Sequence, residues 1–459
     1  MSNEIEQKID EILNRGVLID FLPTKKEFRD KLLSGQKMRF YIGADPTAKA
    51  LHLGHAQNLM VLEDFRKLGH EVIFLIGDFT GMIGDPTDKS SARVKQTREG
   101  VEENFKGWLE QIKSILSFDD AKNPVQVRYN SEWLGKLNFA EVLELASNFT
   151  VQQMLERDMF KRRMHGVKGA NTAVKCRHCE CVFPSPIQFG DNESFNSATL
   201  QGNLTNCPKC GKITGIDKED LMQSAPIYLH EFLYPLMQGY DSVAMDVDVE
   251  LCGTDQIFNA LAGRTLMRKL KNKEKFVVAT KMIADEKTGM LMSKSNGTGV
   301  FLGLDANNLF GAIMSQPDGM LKPLFIGCTR ISLDEIEKLL QLENPRDAKI
   351  ALATEIVKIY HGEAEAEKAK EYFIKTISNK EIPDDVRVVP SKAPEISILD
   401  YMVEADLATS KSDARRKIEQ GGVSVDGEKI TTIDLMLDSE YDSRVIKVGK
   451  FGFAKIKFE

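Results

Sequence analysis

Three groups of residues in this chain have types and spacings that could do chemistry. The first is His52-Leu53-Gly54-His55. Two histidines three apart share a face at the start of a helix. A helix N-terminus favours phosphate, and a glycine lets a ligand lie close to the backbone. Imidazoles placed there can donate hydrogen bonds to phosphate oxygens as charge develops. The same short spacing also suits a buried or metal-binding histidine pair. The second group is Leu291-Met292-Ser293-Lys294-Ser295, flanked by Gly289 and Gly297-Thr298-Gly299. A lone lysine among small polar residues suits a mobile cover for phosphates, though by itself it reads equally as a solvated loop. The third is a pair of Cys-x-x-Cys turns, Cys176–Cys179 and Cys207–Cys210, the second followed by Gly211. Two such turns supply the four thiolates that tetrahedral zinc takes. Cys181 and His178 are possible substitutes for one ligand, and a redox pair is the other use of such a motif.

The elements that must position these residues follow from apolar periodicity. Residues 5–13 place Ile5, Ile9, Ile12 and Leu13 at helical spacing. Residues 38–43 read as a buried strand, residues 53–67 as an apolar-periodic helix stopped at Gly69, and residues 71–76 as a second strand. Strand, helix and strand in so short a stretch make one βαβ unit, so a parallel, nucleotide-type sheet is expected. Residues 170–218 break the pattern, hold five of the seven cysteines and read as an inserted module. From about 303 the chain is helical. Ser332 with Glu335 forms a capping-box pattern, and Asn344-Pro345 opens a helix that Gly362 closes. Pro383, Pro390 and Pro394 mark residues 380–394 as a linker. Two short helices follow at about 396–405 and 410–420, then a hairpin turning at Asp426-Gly427.

Composition narrows the classes. The chain has 459 residues, a formal charge of -7, 42% hydrophobic and 28% charged residues, a globular balance that excludes a disordered chain. It has no apolar run of 18 residues, so no transmembrane helix and no membrane partner is expected, and residues 1–6 lack the pattern of a signal peptide. An acidic chain binds nucleic acid only through a local basic patch. An odd cysteine count with paired Cys-x-x-Cys turns points to metal in a reducing cytoplasm.

The His52–His55 and Leu291–Ser295 motifs, in that order on a split parallel sheet, resemble the two ATP motifs of class I aminoacyl-tRNA synthetases. Tyr41-Ile42-Gly43-Ala44-Asp45-Pro46-Thr47, Thr80–Pro86, Tyr234–Asp241 and Gly253–Gln256 narrow the resemblance to tyrosyl-tRNA synthetases. The likeness covers residues 1 to about 300, interrupted by the cysteine segment.

The resemblance implies a tyrosine–tRNA ligase, in which tyrosine attacks the α-phosphorus of ATP and the tyrosyl group then passes to the 3′ end of tRNA(Tyr). Tyr41 and Asp241 match the phenol binders, and Asp85, Tyr234 and Gln238 the binders of the ammonium. Asp255 and Gln256 match contacts to the ribose and the reacting carboxyl end. Thr47 and His52 match contacts to the terminal phosphate, and Lys89 and Arg93 a mobile basic pair on the leaving pyrophosphate. His55 and Lys294 complete the catalytic set. Gly54, Asp45, Ser293 and Ser295 join Asp255 in holding ATP. Catalysis in this scheme is positioning and charge stabilisation, with Mg²⁺ accompanying ATP and no protein nucleophile. The second ATP motif of the family usually opens with lysine, where this chain has Leu291.

Residues 396–459 resemble the small RNA-binding domain shared by a ribosomal small-subunit protein and pseudouridine synthases, carried by Ser410–Val423. There Lys411 and Arg415 share a helix face, with Arg416 beside them, although residues 391–459 carry 11 basic against 13 acidic groups. A solvated helix face is the plain alternative. The expected architecture is therefore α/β: a Rossmann-like doubly wound catalytic domain over 1–302, a zinc-ribbon-like insertion at 170–218, a helical anticodon-side domain at 303–380, a linker at 381–394 and an α+β RNA-binding domain at 395–459. A cytoplasmic homodimer is the expected state. The competing readings are a tryptophan-specific relative, an RNA-binding paralogue without aminoacylation, and a nucleotidyltransferase using the histidine motif.

Overall fold

The structure, a computed structural model, describes residues 3–85, 97–157, 160, 173–175, 178–179, 182–184, 204–207, 210–215, 221–222, 228–292, 298–378, 386–391, 393–449 and 452–458. The chain divides into two compact units. One comprises Met1–Lys49 and Asn58–Met282, the other Ala50–Gln57 and Ile283–Glu459.

Among the described residues, the first unit is built on a sheet of six strands: β1 (Leu18–Leu22), β2 (Arg39–Ala44), β3 (Glu71–Ile76), β4 (Gln126–Tyr129), β5 (Val249–Gly253) and β6 (Phe276–Thr280). Their spatial order is β1-β6-β5-β2-β3-β4. Strands β6, β5, β2, β3 and β4 run parallel, and β1 joins the edge antiparallel to β6. Parallel strands buried on both faces need apolar residues at nearly every position. Val72–Ile76 of β3 and Val249–Cys252 of β5 meet that need, with Glu250 as the exception. Chain order moves outward to β3 and β4 on one side of β2 and returns through β5 on the other. The switch point therefore lies between β2 and β5, where the carboxyl ends of parallel strands diverge and ligands bind in folds of this kind.

Two helices flank this point, Leu229–Ala244 and Ile257–Lys271. They approach closely because each carries a glycine at the contact. A Cβ on Gly239 would lie 3.0 Å from the Gly263 backbone nitrogen, and one on Gly263 would lie 3.3 Å from the Gly239 Cα. Among the described residues of the cysteine insertion, Ala173–Lys175 pairs antiparallel with Val182–Pro184 and Leu204–Asn206 with Ile213–Gly215.

The second unit begins with residues 50–57, which hold the histidine motif. Its helices include Ala306–Met314, Leu321–Cys328, Leu333–Leu340, Pro345–His361 and Glu363–Phe373. Ser332 accepts a hydrogen bond from the Glu335 N–H at 3.3 Å, and Asn344 caps the helix that Pro345 opens and Gly362, at φ +87°, closes. The tail packs Ile398–Glu404 and Lys411–Glu419 on a sheet containing Val423–Val425, Val445–Val448 and Gly452–Phe458. Asp426 and Gly427 both take positive φ, as a type I′ turn requires. Val388–Ser391, inside the stretch whose prolines suggested a linker, is a strand paired in parallel with Gly452–Phe458. Pro390 is accommodated because this strand is the sheet edge, where a missing N–H leaves no ladder bond unmade.

The glycine contact generates a stability prediction. A Cβ on Gly263 would also meet the Lys275 Nζ at 2.5 Å and the Ser242 Oγ at 2.9 Å, both buried. Gly263→Ala is expected to destabilise the protein by about 1–3 kcal/mol through overpacking. A urea midpoint equal to wild type would contradict the crossing geometry.

Candidate functional site

The switch point of the first unit gathers polar side chains from five elements. From β2 come Tyr41 and, just past the strand end, Asp45. Tyr234, Gln238, Asp241 and Ser242 come from one turn-repeated face of Leu229–Ala244. Asp255 and Gln256 follow β5, Asn259 stands on the next helix, and Asn130 and Trp133 follow β4.

Asp241 is buried. Its Oδ1 accepts from the Trp133 Nε1–H at 2.7 Å and its Oδ2 from the Asn130 Nδ2 at 3.4 Å. Burial pushes its carboxyl well above the ordinary range, and these two donors pull the other way. Tyr41 is equally buried, and its hydroxyl lies 3.0 Å from the Ser242 Oγ. Its phenol is held well above its usual pKa, chiefly by burial and then by Glu250 and Asp241, so it stays protonated. Tyr234 donates to the Asp45 Oδ2 at 2.8 Å, and Thr80 donates to the Asp45 Oδ1 at 2.6 Å. Asp85 accepts from Gln256 at 2.6 Å and from Arg157 at 3.3 Å. The Arg157 guanidinium also lies over the Phe160 and Phe258 rings.

The amides are locked. Asn259 donates to the Oε1 of both Gln238 and Gln256 at 2.9 Å, and Gln238 donates to Glu250 at 2.9 Å. Glu250 pairs with the fully buried Lys275, which also donates to the Ser242 Oγ at 2.9 Å.

The six residues expected to bind substrate thus gather at the switch point in two hydrogen-bonded groups: Tyr41, Gln238, Gln256 and Asp85, joined through Ser242, Glu250 and Asn259 with Asp255 beside them, and Tyr234 with Asp241, joined through Asp45, Thr80 and Asn130. Asp45, expected on the ATP side, hydrogen-bonds Tyr234. Asn130, Trp133, Ser242, Glu250, Asn259, Lys275 and Arg157 were not anticipated. Glu250 carried a signal, a charged residue inside an otherwise apolar strand. Thr47 is exposed, with its N–H on the Asp45 carbonyl. Lys89, Arg93, Ser293, Lys294 and Ser295 lie outside the described residues.

In the second unit, His52 and His55 stand at the start of the helix Leu53–Lys67, with ring centroids 4.0 Å apart. The His52 Nδ1 accepts from the Gly54 N–H at 3.1 Å, and the His55 Nδ1 accepts from the His52 N–H at 3.2 Å. A neutral imidazole that accepts at Nδ1 carries its proton on Nε2. Both rings stay neutral because burial pushes His52 down to about 4 and His55 to about 3. A Cβ on Gly54 would lie 2.8 Å from the His52 ring, so a larger residue there has to displace that imidazole. The motif backbone is clamped by Leu53 N–H to Val300 O and Leu302 N–H to Leu51 O, bonds to residues that follow Ser293–Ser295 in the sequence. Leu291 is partly exposed and forms an isolated bridge with Ala284.

Within the insertion, the Sγ atoms of Cys179, Cys207 and Cys210 lie within 4.8 Å of one another, with Cys179 and Cys207 3.6 Å apart. Tetrahedral zinc with Zn–S bonds of about 2.3 Å separates its sulfurs by about 3.8 Å, so the three thiols fit such an ion. Gly211, at φ +69°, sends its N–H back to the Cys207 carbonyl at 2.8 Å and closes the turn. Cys176 lies outside the described residues. In the tail, Arg415 is exposed, Lys411 pairs with Asp400 at 2.6 Å, and Arg416 pairs with Asp413 at 2.7 Å.

A parallel sheet with a carboxylate-lined switch point, and neutral N–H donors at a helix start, define a nucleotide-dependent α/β enzyme. The chain belongs to the family of class I tRNA synthetases (W and Y), whose model matches residues 33–173 and 191–378. Residues 378–450 match a tyrosine–tRNA ligase C-terminal domain model. A tyrosine–tRNA ligase of Thermotoga maritima is 36% identical over 97% of this chain and 96% of its own length. One from Shewanella oneidensis is 38% identical over 99% of both. The fold is shared with a C-terminally truncated mitochondrial tyrosyl-tRNA synthetase of Aspergillus nidulans, with a TM-score of 0.57 and 20% identity over 80% of this chain and 97% of that one.

The imidazole geometry predicts a pH response. Unfolded histidine takes a proton near 6.5, whereas the folded rings do so only at about 4 and 3. Their stabilising contribution is therefore complete above 6.5 and is lost as pH falls below it. Between about pH 5 and 8, His55 should add no inflection to the rate of ATP–pyrophosphate exchange. His55→Ala should lower that rate about tenfold or more without changing the profile's shape. A wild-type inflection near 6.5 that vanishes in the variant would contradict the assigned protonation.

Proposed function

We propose that the chain is a tyrosine–tRNA ligase, activating tyrosine with ATP and transferring the tyrosyl group to tRNA(Tyr). The observation that carries this reading is the buried pair of Tyr41 and Asp241 at the switch point of a chain whose full-length relatives are tyrosine–tRNA ligases. Tyr41 offers a phenol proton and Asp241 an acceptor already fixed by Trp133 and Asn130. A tyrosine hydroxyl satisfies both, whereas phenylalanine leaves the carboxyl without its third partner, and an unmet buried acceptor costs about 1–3 kcal/mol or more. Asp85, Tyr234 and Gln238 form the ammonium site, with the carboxylate of Asp85 as its charge and Arg157 as the cation that substrate competes with.

In the reaction, the tyrosine carboxylate attacks the α-phosphorus of ATP and pyrophosphate leaves. ATP enters as its magnesium complex, which supplies charge neutralisation on the phosphates. His52 and His55 donate Nε2–H to phosphate oxygens, donors that keep their charge state across neutral pH. Thr47, Gly54, Ser293, Lys294 and Ser295 act on ATP, Asp255 on the ribose, Gln256 on the reacting carboxyl, and Lys89 with Arg93 on pyrophosphate. Lys294, Lys89 and Arg93 carry the basic load at which Leu291 offers none.

The insertion holds structural zinc through Cys176, Cys179, Cys207 and Cys210. Lys411, Arg415 and Arg416 form the tRNA contact of the tail, where surface ion pairs exchange their carboxylates for phosphates at little cost. The enzyme works in the cytoplasm as a homodimer. Exposed Phe139, Leu143 and Val151 are apolar surface suited to a second copy.

Exchange assays with each of the twenty amino acids should show turnover with tyrosine alone. Asp241→Ala should lower kcat/KM for tyrosine by at least about tenfold while the KM for ATP changes little. Unchanged tyrosine turnover in that variant would end the phenol assignment. Elemental analysis should find one zinc per chain, reduced in Cys207→Ser. Metal-free, folded wild type would remove zinc from the account.

A further inference from the structure

Behind the pocket residues lies a buried chain of hydrogen bonds that the proposed chemistry does not use. It runs from Lys275 to Ser242 to Tyr41. Lys275 immediately precedes strand β6 and has no exposed surface. Its ammonium meets Glu250 on the neighbouring strand and donates to the Ser242 Oγ at 2.9 Å. Ser242 in turn lies 3.0 Å from the Tyr41 hydroxyl and 3.5 Å from the Glu250 Oε2. The space for the ammonium is built in, because a side chain at Gly263 would fill it.

The ammonium biases this chain toward one of its two directions. An ammonium can only donate, so the Ser242 oxygen accepts from Lys275. The Ser242 oxygen keeps a second lone pair, so either hydroxyl can donate across the 3.0 Å contact with Tyr41. The ammonium favours donation from Ser242 to Tyr41, because it already engages the Glu250 Oε2, the other acceptor of the Ser242 proton, at 3.5 Å. In that direction the proton of Tyr41 is free to be offered to a substrate phenol. Without the ammonium the chain can reverse: Tyr41 donates to Ser242, Ser242 donates to Glu250, and no proton is offered to substrate.

We propose that Lys275 is a positioning residue for substrate specificity, setting through Ser242 the direction in which Tyr41 donates its proton. This rests on reading the site as a tyrosine pocket. Lys275 touches no substrate. The substrate's hydroxyl accepts from Tyr41 and donates to Asp241, so both of its hydrogen-bonding functions are fixed by a group two residues removed. A substrate lacking that hydroxyl gains nothing from the arrangement.

The test is pyrophosphate exchange by full-length protein with tyrosine and with phenylalanine, varying each substrate and ATP. Lys275→Met combined with Glu250→Gln removes the ammonium without leaving a buried unpaired carboxylate. Ser242→Ala breaks the relay but keeps the ion pair, and it serves if the double variant does not fold. Both are expected to raise the KM for tyrosine about tenfold, keep the KM for ATP within about twofold, and reduce preference for tyrosine over phenylalanine by a similar factor. Folded Ser242→Ala protein with unchanged tyrosine KM and unchanged preference overturns the proposal. So does a parallel rise in both KM values, which marks a merely structural role. Wild type without tyrosine-dependent exchange defeats the underlying reading instead.

Discussion

An ammonium taken fully out of water must be met by a carboxylate and by further hydrogen bonds, or it costs several kcal/mol. The interior of the sheet unit is organised around that requirement at Lys275. Glu250 supplies the opposite charge from the adjacent strand, and Gln238 and Ser242 take up the remaining polar atoms. Ser242 is one bond from Tyr41, and Gln238 one bond from Asn259. The glycine contact between the two flanking helices exists at the same level, since it opens the volume in which the ammonium sits. Removing one partner of such a pair costs about 3–5 kcal/mol, so the charge pair and the pocket geometry stand or fall together.

The histidine motif uses the opposite device. His52 and His55 are kept neutral by burial, and each is turned by a backbone N–H on Nδ1. Neutral donors stabilise charge only where it develops and do not bind the ground-state phosphate as strongly as a cation would.

Much of this was legible in the chain itself. Unbroken apolar runs at 71–76, a helix bounded by His52 and Gly69, and the Asp426-Gly427 turn specify local structure strongly, and the α/β class follows from their order. The residues that gather at the switch point were named through motif resemblance. Lys275 was not, because it stands in a run of charged residues, Lys273-Glu274-Lys275, that reads as a solvated loop. Only the pairing of β5 with β6 brings it beside Glu250. Asn130 and Trp133 were missed for a related reason: their partner Asp241 is more than a hundred residues away in the chain. The prolines near 390 misled because edge position, which tolerates them, is a tertiary property.

The parallel pairing of Val388–Ser391 with Gly452–Phe458 bears on biogenesis. The later strand lies between Val388–Ser391 and Val445–Val448, bonded on both sides. A ribosome delivers it after every other strand of that sheet. Until then the earlier strand has an open edge and the hydrophobic face of Ile398, Tyr401 and Met402 lacks the cover of Ala454 and Ile456. Closure of this sheet therefore waits for Gly452–Phe458 to be delivered, and a nascent chain stalled before that strand would carry a half-closed module.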